Sequence, residues 1–264
     1  MPNPIYAIGD IHGYAAELER VLTLIEEDGG PDARIVFLGD YTDRGPDSKA
    51  VIDRLAQGKA EGRNWTFLMG NHDRMFSWFM EDFPRHDPLL LVELNWLNPR
   101  LGGDTTLGSY GVPVNGRDRM SDVHAKAREA VPQAHVDFLK TLALSHQTPD
   151  HFFAHAGIRP GVPLDDQTEN DLLWIRKEFH EYTAPHPKLV VHGHTPVDSA
   201  MHYGNRVNLD TGAGYGKPLC AAVFEGAIAC APDWFTSSRG LLCPIGRTSS
   251  RRSLSRNRLR RSDG

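Results

Sequence analysis

The chain of 264 residues is long enough to bury a full hydrophobic core, and its content of 40% hydrophobic and 24% charged residues is ordinary for a globular protein. No apolar run approaches the roughly 20 residues of a membrane-spanning helix. The formal net charge of −5 is uneven, because residues 239–264 hold eight Arg and one Asp, or +7, which leaves an acidic body of −12 and argues against a nucleic-acid-binding surface there.

The distribution of residues predicts one domain over 1–235, with a cap-like insertion at about 81–132, followed by a tail at 236–264. Ser and Arg dominate the tail, which is typical of a disordered segment, and a solvated tail is favoured over one that contacts nucleic acid or an anionic surface. The N-terminus lacks a basic segment followed by an apolar one, so a cytoplasmic location is expected. Three cysteines without a CxxC spacing argue against a disulfide framework or a zinc cluster.

The first half of the chain alternates short apolar runs with segments of helical periodicity, a pattern that predicts βαβ units and a parallel sheet. Residues 81–132 break this rhythm with scattered Pro, Gly and charge. They are equally consistent with a cap over a site and with a surface elaboration. The predicted strands are 5–8, 34–38 and 65–69, and the predicted helices are 14–27, 47–57 and 74–80.

The second half is richer in predicted strands. The last two of them are separated by Glu225-Gly226, which indicates a hairpin. An α/β fold of two packed sheets flanked by helices satisfies both halves of the chain. A helix is predicted at 133–144, and strands are predicted at 151–154, 188–191, 206–210, 220–224 and 227–231.

Five short motifs lie at the ends of predicted strands. Asp10, Asp40 and Asn71 are 30 and 31 residues apart, near the length of a βαβ unit, so we expect them at equivalent ends of neighbouring parallel strands. Asp, Asn and His are ligands that hold two divalent metal ions over a phosphate ester. The motifs read Gly-Asp-Ile-His-Gly at 9–13, Gly-Asp-Tyr-Thr-Asp-Arg-Gly at 39–45, Gly-Asn-His-Asp at 70–73, His-Ala-Gly at 155–157 and His-Gly-His-Thr at 192–195.

These residues predict two metal sites that share one carboxylate. Asp10 and His12 are two residues apart and point to the same side of an extended chain. The two oxygens of Asp40 can bridge two cations. Nitrogen and oxygen ligands without thiolate favour Mn²⁺ above all, or Fe or Zn²⁺, over Ca²⁺. The first predicted site consists of Asp10, His12 and Asp40, and the second consists of Asp40, Asn71, His155 and His194.

The order of the motifs resembles the phosphoprotein phosphatase branch of the calcineurin-like metallophosphoesterases over roughly residues 4–231, with Thr42 where valine is usual. That branch includes serine/threonine protein phosphatases and symmetrical diadenosine tetraphosphate hydrolases. The resemblance implies a four-layer α/β/β/α sandwich with the metals at the sheet edge. It also implies direct attack of a metal-bridging hydroxide on phosphorus.

The resemblance further implies roles around the metals. His72 would protonate the leaving oxygen, and Asp43 would orient His72 and stabilise its imidazolium. Arg44 would clamp phosphate oxygens, with the neutral Asn71 also beside the substrate. Arg176, in Leu-Leu-Trp-Ile-Arg, resembles a second phosphate-binding arginine, although a surface salt bridge on a helix remains the alternative.

The Gly-rich segment 210–216 resembles the DTGA segment of this family, and in that case Tyr215 would contact phosphate. By itself the segment is equally consistent with a tight turn between strands. A phosphomonoesterase acting on phosphoproteins or small phosphate esters is the leading interpretation. Its alternative is a hydrolase of dinucleoside polyphosphates. A metal-binding scaffold without catalysis is disfavoured, because all the ligands, His72 and Arg44 are present.

Overall fold

The computed structural model describes residues 4–225 and the backbone of a short strand at 246–247. Its strands are β1 (Ile5–Ile8), β2 (Arg34–Phe37), β3 (Trp65–Phe67), β4 (Ser145–Gln147), β5 (His151–Ala154), β6 (Leu189–His192), β7 (Met201–His202), β8 (Arg206–Asn208), β9 (Ala221–Phe224) and β10 (Gly246–Arg247). Its α-helices are α1 (Ala15–Gly29), α2 (Ser48–Ala60), α3 (Asn71–Phe79), α4 (Gly103–Ser109), α5 (Met120–Ala130), α6 (Gln133–Lys140), α7 (Glu169–Trp174) and α8 (Lys177–His180). Among these residues, no helix combines the length and the apolar character needed to cross a membrane.

The strands form two mixed sheets. The first has the order β3-β2-β1-β9, in which β1, β2 and β3 are parallel and β9 is antiparallel to β1. The second has the order β10-β7-β8-β6-β5-β4, with β5, β6 and β8 parallel at its centre. Parallel neighbours end at the same edge of a sheet, so the loops after β1, β2 and β3 meet, as do those after β5 and β6.

The two sheets pack face to face, with helices on their outer faces. Alternate residues of each strand face opposite sides, so Ala7 and Val36 pack towards Val191 and Phe153 of the second sheet. On the outer side of the first sheet, residues such as Ile8 pack in the core that includes α1, α2, α3 and α6. On the outer side of the second sheet, Phe152 and Val190 pack with Leu172 of α7 and Phe179 of α8. The expected four-layer α/β/β/α sandwich is therefore confirmed.

Most predicted elements are present, with ends that shift by a few residues. The helix predicted at 133–144 ends earlier, at Lys140, because the chain must turn back to form the bridge between Ala143 and Leu68. The sequence pattern missed β4 and β7, which are short and polar and therefore carry no apolar run. Within the 81–132 insertion the structure has the helices α4 and α5 joined by turns and bends. The strand predicted at 227–231 lies outside the described residues.

Several histidines lie around Arg206 near the outer helix α8. The Arg206 Nη1 group donates to His192 Nε2 at 3.2 Å, and its guanidinium lies 3.6 Å from the Tyr203 ring. Burial lowers the pKa of His180 to about 4, with a further contribution from Arg206, and the same two causes lower the pKa of His192 and His186. These imidazoles are therefore neutral in the folded protein near pH 7.

We predict that the contribution of these histidines to the free energy of unfolding falls as the pH drops below about 6.5, the ordinary pKa of an unfolded histidine. Between that pH and about 4, the pKa of folded His180, the unfolded chain binds more protons, so acid favours unfolding. Urea unfolding of metal-free protein between pH 7.5 and 4.5 measures this slope. His180→Gln should flatten the slope, whereas His86→Gln, at an exposed histidine, should leave it as in the wild type. An unchanged slope in His180→Gln would contradict the assignment.

Candidate metal centre

The predicted ligands converge where the carboxyl ends of the strands of both sheets meet. From the first sheet, Asp10 follows β1, Asp40 follows β2, and Asn71 begins α3 after β3. From the second sheet, His155 directly follows β5 and His194 follows β6. All five side chains are buried. Residues up to 184 positions apart in the sequence are thus brought into contact.

The backbone at this edge is strained. Among the described residues, six amino acids other than glycine have a positive φ angle, and five of them belong to the predicted site. Such conformations cost on the order of 1–3 kcal/mol each and tend to collect at functional sites. Tight turns directly after the strands hold these side chains towards the gap between the sheets. The five are His12, Asp40, Asp43, Arg44 and His194.

Asp40 lies between the two predicted sites. Its Oδ2 atom is 3.5 Å from His12 Nε2, and its Oδ1 atom is 3.4 Å from His155 Nε2. The Nδ1 atoms of His12 and His155 are hydrogen-bonded to the carbonyl oxygens of Thr42 and Leu38, at 2.8 Å and 3.0 Å. Both rings therefore turn Nε2 towards Asp40. One carboxylate with an imidazole nitrogen at each oxygen is the arrangement of a bridging ligand.

The second group of donors lies around His155. His155 Nε2 lies 2.9 Å from Asn71 Oδ1 and 3.2 Å from His194 Nδ1. One ligand atom each from Asp40, His155 and His194 lies within 4.8 Å of the other two. In the first group, His12 and Asp40 lie beside His72, while the Asp10 carboxylate accepts the backbone N–H of His194 at 3.1–3.2 Å. Asp10 thereby ties the first sheet to the loop that carries His194.

The chemistry of these residues fits divalent cations. Burial raises the pKa of Asp10 well above its ordinary value, and the neighbouring Asp210 and Asp40 raise it further. Burial also raises the pKa of Asp210 to about 6, and Asp40 adds to the rise. Buried carboxylates at such short range repel one another unless a cation compensates them. Two groups of buried side chains could each hold such a cation, namely His12, Asp40 and His72, and Asp40, His155 and His194, with Asp10 and Asn71 beside them.

His72 and Asp43 form a buried pair beside the metal ligands. His72 Nδ1 lies 2.6 Å from Asp43 Oδ2. Two residues of the 81–132 insertion hold the same carboxylate: Trp96 Nε1 donates to Oδ2 at 2.8 Å, and Thr106 Oγ1 donates to Oδ1 at 2.6 Å. With Nδ1 fixed on Asp43, the Nε2 atom of His72 is directed towards Arg44, at 3.2 Å. The insertion thus contributes directly to the site.

The two predicted phosphate-binding arginines differ in position. Arg44 Nη1 lies 2.6 Å from His12 Nε2, and its guanidinium lies 4.9 Å from the ring of Tyr215. Tyr215 is 65% exposed, so it lies at the mouth of the site. Arg176 is exposed and precedes α8, with Nη1 3.5 Å from Thr195 Oγ1 beside the His194 loop. Among the described residues Arg176 forms no ion pair, so the alternative of a surface salt bridge gains no support.

Sequence reasoning missed several residues that support the site. Asp73 accepts three backbone N–H groups, from Asp40 at 2.7 Å and from Tyr41 and Gly70 at 2.9 Å. Its place in the Gly-Asn-His-Asp motif was the available signal. The sequence points to Asp210 only through the glycines that follow it. Trp96 and Thr106 belong to no motif, so nothing short of the structure identifies them.

A family model for calcineurin-like phosphoesterases matches residues 3–213. The chain belongs to the calcineurin-like phosphoesterase family. Its sheets, the order of its motifs and its histidine–carboxylate groups are those of a metallophosphoesterase. The family uses divalent metals.

Curated relatives of this phosphoesterase include nucleotide hydrolases. The asymmetrical bis(5'-nucleosyl)-tetraphosphatase PrpE of Oceanobacillus iheyensis is 27% identical over 239 residues, which cover 82% of this chain and 87% of that protein. The symmetrical bis(5'-nucleosyl)-tetraphosphatase of Bordetella parapertussis is 29% identical over 159 residues, which cover 60% of this chain and 45% of that protein.

Solved structures share the fold. A crystal structure described as a candidate diadenosine tetraphosphatase has a TM-score of 0.58 and 22% identity, and the match covers 85% of this chain and 90% of that one. A cold-active protein tyrosine phosphatase has a TM-score of 0.51 and 17% identity, with 85% and 76% covered. At these identities the likeness concerns the fold alone.

We predict that Gly193→Ala weakens metal binding by about tenfold or more, an effect of the size seen when the supports of metal ligands are lost. A Cβ atom at position 193 would lie 2.0 Å from Asp10 Oδ1, so the Asp10 carboxylate and the His194 loop could not keep their contact. Titration calorimetry of the metal-free protein with Mn²⁺ measures the affinity. The matched control is Gly108→Ala, since a Cβ atom there meets open space. Equal Mn²⁺ affinity in the two variants would contradict the role of Asp10.

Proposed function

We propose that this phosphoesterase hydrolyses dinucleoside polyphosphates such as diadenosine tetraphosphate, with two divalent metal ions, most favourably Mn²⁺. The observation that carries the proposal is a site with two donor groups sharing Asp40, in a chain whose relatives over four-fifths of its length are named bis(5'-nucleosyl)-tetraphosphatases. The sequence motifs alone placed phosphate monoesters and phosphoproteins first. The relatives support the alternative better.

In this proposal the buried ligands hold the metals and set where phosphate binds. The first metal would be held by Asp10, His12 and Asp40, and the second would be held by Asp40, Asn71, His155 and His194. When bound, the two cations neutralise phosphate charge and lower the pKa of a water that can attack phosphorus. Asn71 contributes a neutral oxygen, which limits the negative charge that an incoming polyphosphate meets.

His72 acts as the general acid for the leaving phosphate. Its Nδ1 atom is fixed on Asp43, so Nε2, which accepts from Arg44 Nη2 at 3.2 Å in this structure, is the nitrogen that would have to carry the proton for the leaving oxygen. Trp96 and Thr106 donate further hydrogen bonds to Asp43, which keep the carboxylate oriented. Protonation of the leaving oxygen by such a positioned acid contributes about 10²–10⁴-fold to the rate.

Arg44 and Arg176 bind the polyphosphate from two sides. A guanidinium offers paired N–H donors that match phosphate oxygens. Arg44 Nη1 lies 2.6 Å from His12 Nε2, the nitrogen that would bind metal, so this contact would have to break for His12 to act as a ligand. The exposed ring of Tyr215 already lies 4.9 Å from the Arg44 guanidinium, where it is placed to pack against the guanidinium and the substrate.

We expect Mn²⁺-loaded protein to hydrolyse diadenosine tetraphosphate in preference to p-nitrophenyl phosphate and a phosphoserine peptide, judged by kcat/KM. Separation of the products by chromatography distinguishes symmetrical cleavage, which gives two ADP, from asymmetrical cleavage, which gives AMP and ATP. Asp40→Asn, which removes the shared carboxylate, is the inactive control. Preference for the phosphopeptide would instead assign a protein phosphatase. Turnover of none of the three substrates would contradict the proposal.

We further expect His72→Asn to lower kcat by about 10²–10⁴-fold with little change in KM, because the general acid acts on the leaving group rather than on binding. Arg176→Ala should do the reverse and mainly raise KM. Steady-state kinetics on the preferred substrate separate the two effects. A His72→Asn variant with wild-type kcat would exclude the assigned role.

A further inference from the structure

A second buried polar network lies next to the metal centre, around Asp87 in the 81–132 insertion. The Oδ2 atom of Asp87 accepts hydrogen bonds from Arg74 Nη2 at 2.7 Å, from Arg74 Nε at 3.2 Å and from Trp174 Nε1 at 3.2 Å. Its Oδ1 atom accepts the backbone N–H of Leu89 at 3.0 Å. Asp87 and Arg74 are each 2% exposed, so this is a fully desolvated ion pair with its hydrogen bonds satisfied.

Arg74 joins three parts of the chain through this network. It lies on α3, the helix that begins with Asn71 and His72. Its Nη1 atom donates to Glu169 Oε1 and Asn170 Oδ1, both at 3.0 Å, in the first turn of α7. The helix that carries two site residues is thereby fastened to the insertion and to α7. Loss of one member of a buried ion pair leaves an unpaired charge, so the network resists rearrangement.

Trp174, the last residue of α7, connects the network to the metal centre. Its ring centroid is 5.8 Å from that of His194, with an interplanar angle of 81°. The Trp174 N–H bond to Asp87 fixes the direction of the indole. The edge-to-face contact in turn limits rotation of the His194 imidazole.

His194 depends on this contact more than the other two histidine ligands do. A metal-binding histidine usually donates its second ring N–H to a carboxylate or a backbone carbonyl, which sets the ring orientation. His12 and His155 have such a bond through Nδ1. His194 turns Nδ1 towards His155, and its buried Nε2 atom has no hydrogen-bond partner among the described residues. The orientation of the His194 ring must therefore be set by packing, whereas a hydrogen bond through Nδ1 sets the orientation of the other two rings.

We propose that Trp174, held by Asp87, is a positioning residue that fixes the His194 imidazole for the second metal ion. The inference rests on the proposed role of His194 as a ligand. The 81–132 insertion then helps to assemble the second site through Asp87. This role is separate from the contacts that Trp96 and Thr106 make with Asp43. Trp174 acts through His194 and needs no contact with the substrate.

Two substitutions test this role in the full-length, metal-free protein titrated with Mn²⁺ by calorimetry. Trp174→Phe keeps an aromatic ring but removes the N–H bond to Asp87, and Trp174→Leu removes the ring as well. We expect one of two Mn²⁺ sites to weaken by about tenfold in Trp174→Phe and further in Trp174→Leu, while the other site keeps its affinity. The matched control is Trp78→Phe, because the Trp78 ring lies 4.6 Å from the same Arg74 guanidinium but does not contact His194.

The outcomes separate the two proposals. Weakening of a single site in the Trp174 variants, with two wild-type sites in Trp78→Phe, supports the positioning role. Two unchanged sites in Trp174→Leu would overturn it while leaving the ligand assignment intact. Fewer than two Mn²⁺ ions bound by the wild type would overturn the proposed metal centre, and the role of Trp174 with it. Thermal unfolding of each variant identifies any effect that comes from lost stability alone.

Discussion

The geometry of the whole site depends on the placement of one buried carboxylate, that of Asp40. Its backbone N–H donates to Asp73 at 2.7 Å, its φ angle of 53° turns the chain directly after β2, and its Oδ1 atom accepts the backbone N–H of His72 at 3.0 Å. These constraints leave one oxygen facing His12 and the other facing His155. Burial alone would raise the pKa of Asp40, but the four surrounding histidines outweigh it and hold the pKa below its ordinary value. The polar contact between Asp40, which follows β2, and His155, which follows β5, thus links the two sheets at the edge where they meet.

Hydrogen bonds from neighbouring residues stabilise the strained backbone and the buried charges at this edge. A positive φ at Asp40 or His194 is unfavourable in isolation, and carboxylates buried close together repel one another. Asp73 satisfies the backbone of the Asp40 turn, and Asp10 accepts the N–H of His194. The surrounding fold holds these groups where cations can bind. The strained turns and buried carboxylates lower the stability of the fold locally. In return the ligands are already in place, so metal binding requires less rearrangement.

The sequence predicted the parts of the site that local patterns encode. Asp10, Asp40 and Asn71 were placed correctly because each follows an apolar strand at a regular interval, and parallel strands end at the same edge. The order of the motifs also predicts that these three residues meet His155 and His194. In the structure, the loops after β5 and β6 bring the two histidines to the same edge. The insertion could not be predicted in this way. Its contacts join residues that are 13 to 87 positions apart, and hydrophobic periodicity does not predict contacts of that kind. Asp43 is contacted by Trp96 and Thr106, and Asp87 contacts Arg74 and Trp174. Short polar strands such as β4 could not be predicted for a different reason, because they carry no apolar run.

The central claim is that Asp40 bridges two metal ions between the sheets. Crystals of the protein grown with Mn²⁺, with diffraction data collected on both sides of the manganese absorption edge, test it most directly. If Asp40 bridges the two metals, we expect two anomalous peaks, one beside Asp10 and His12 and one beside Asn71, His155 and His194, with an Asp40 oxygen coordinated to each. A single peak, or two peaks of which one does not contact Asp40, would contradict it.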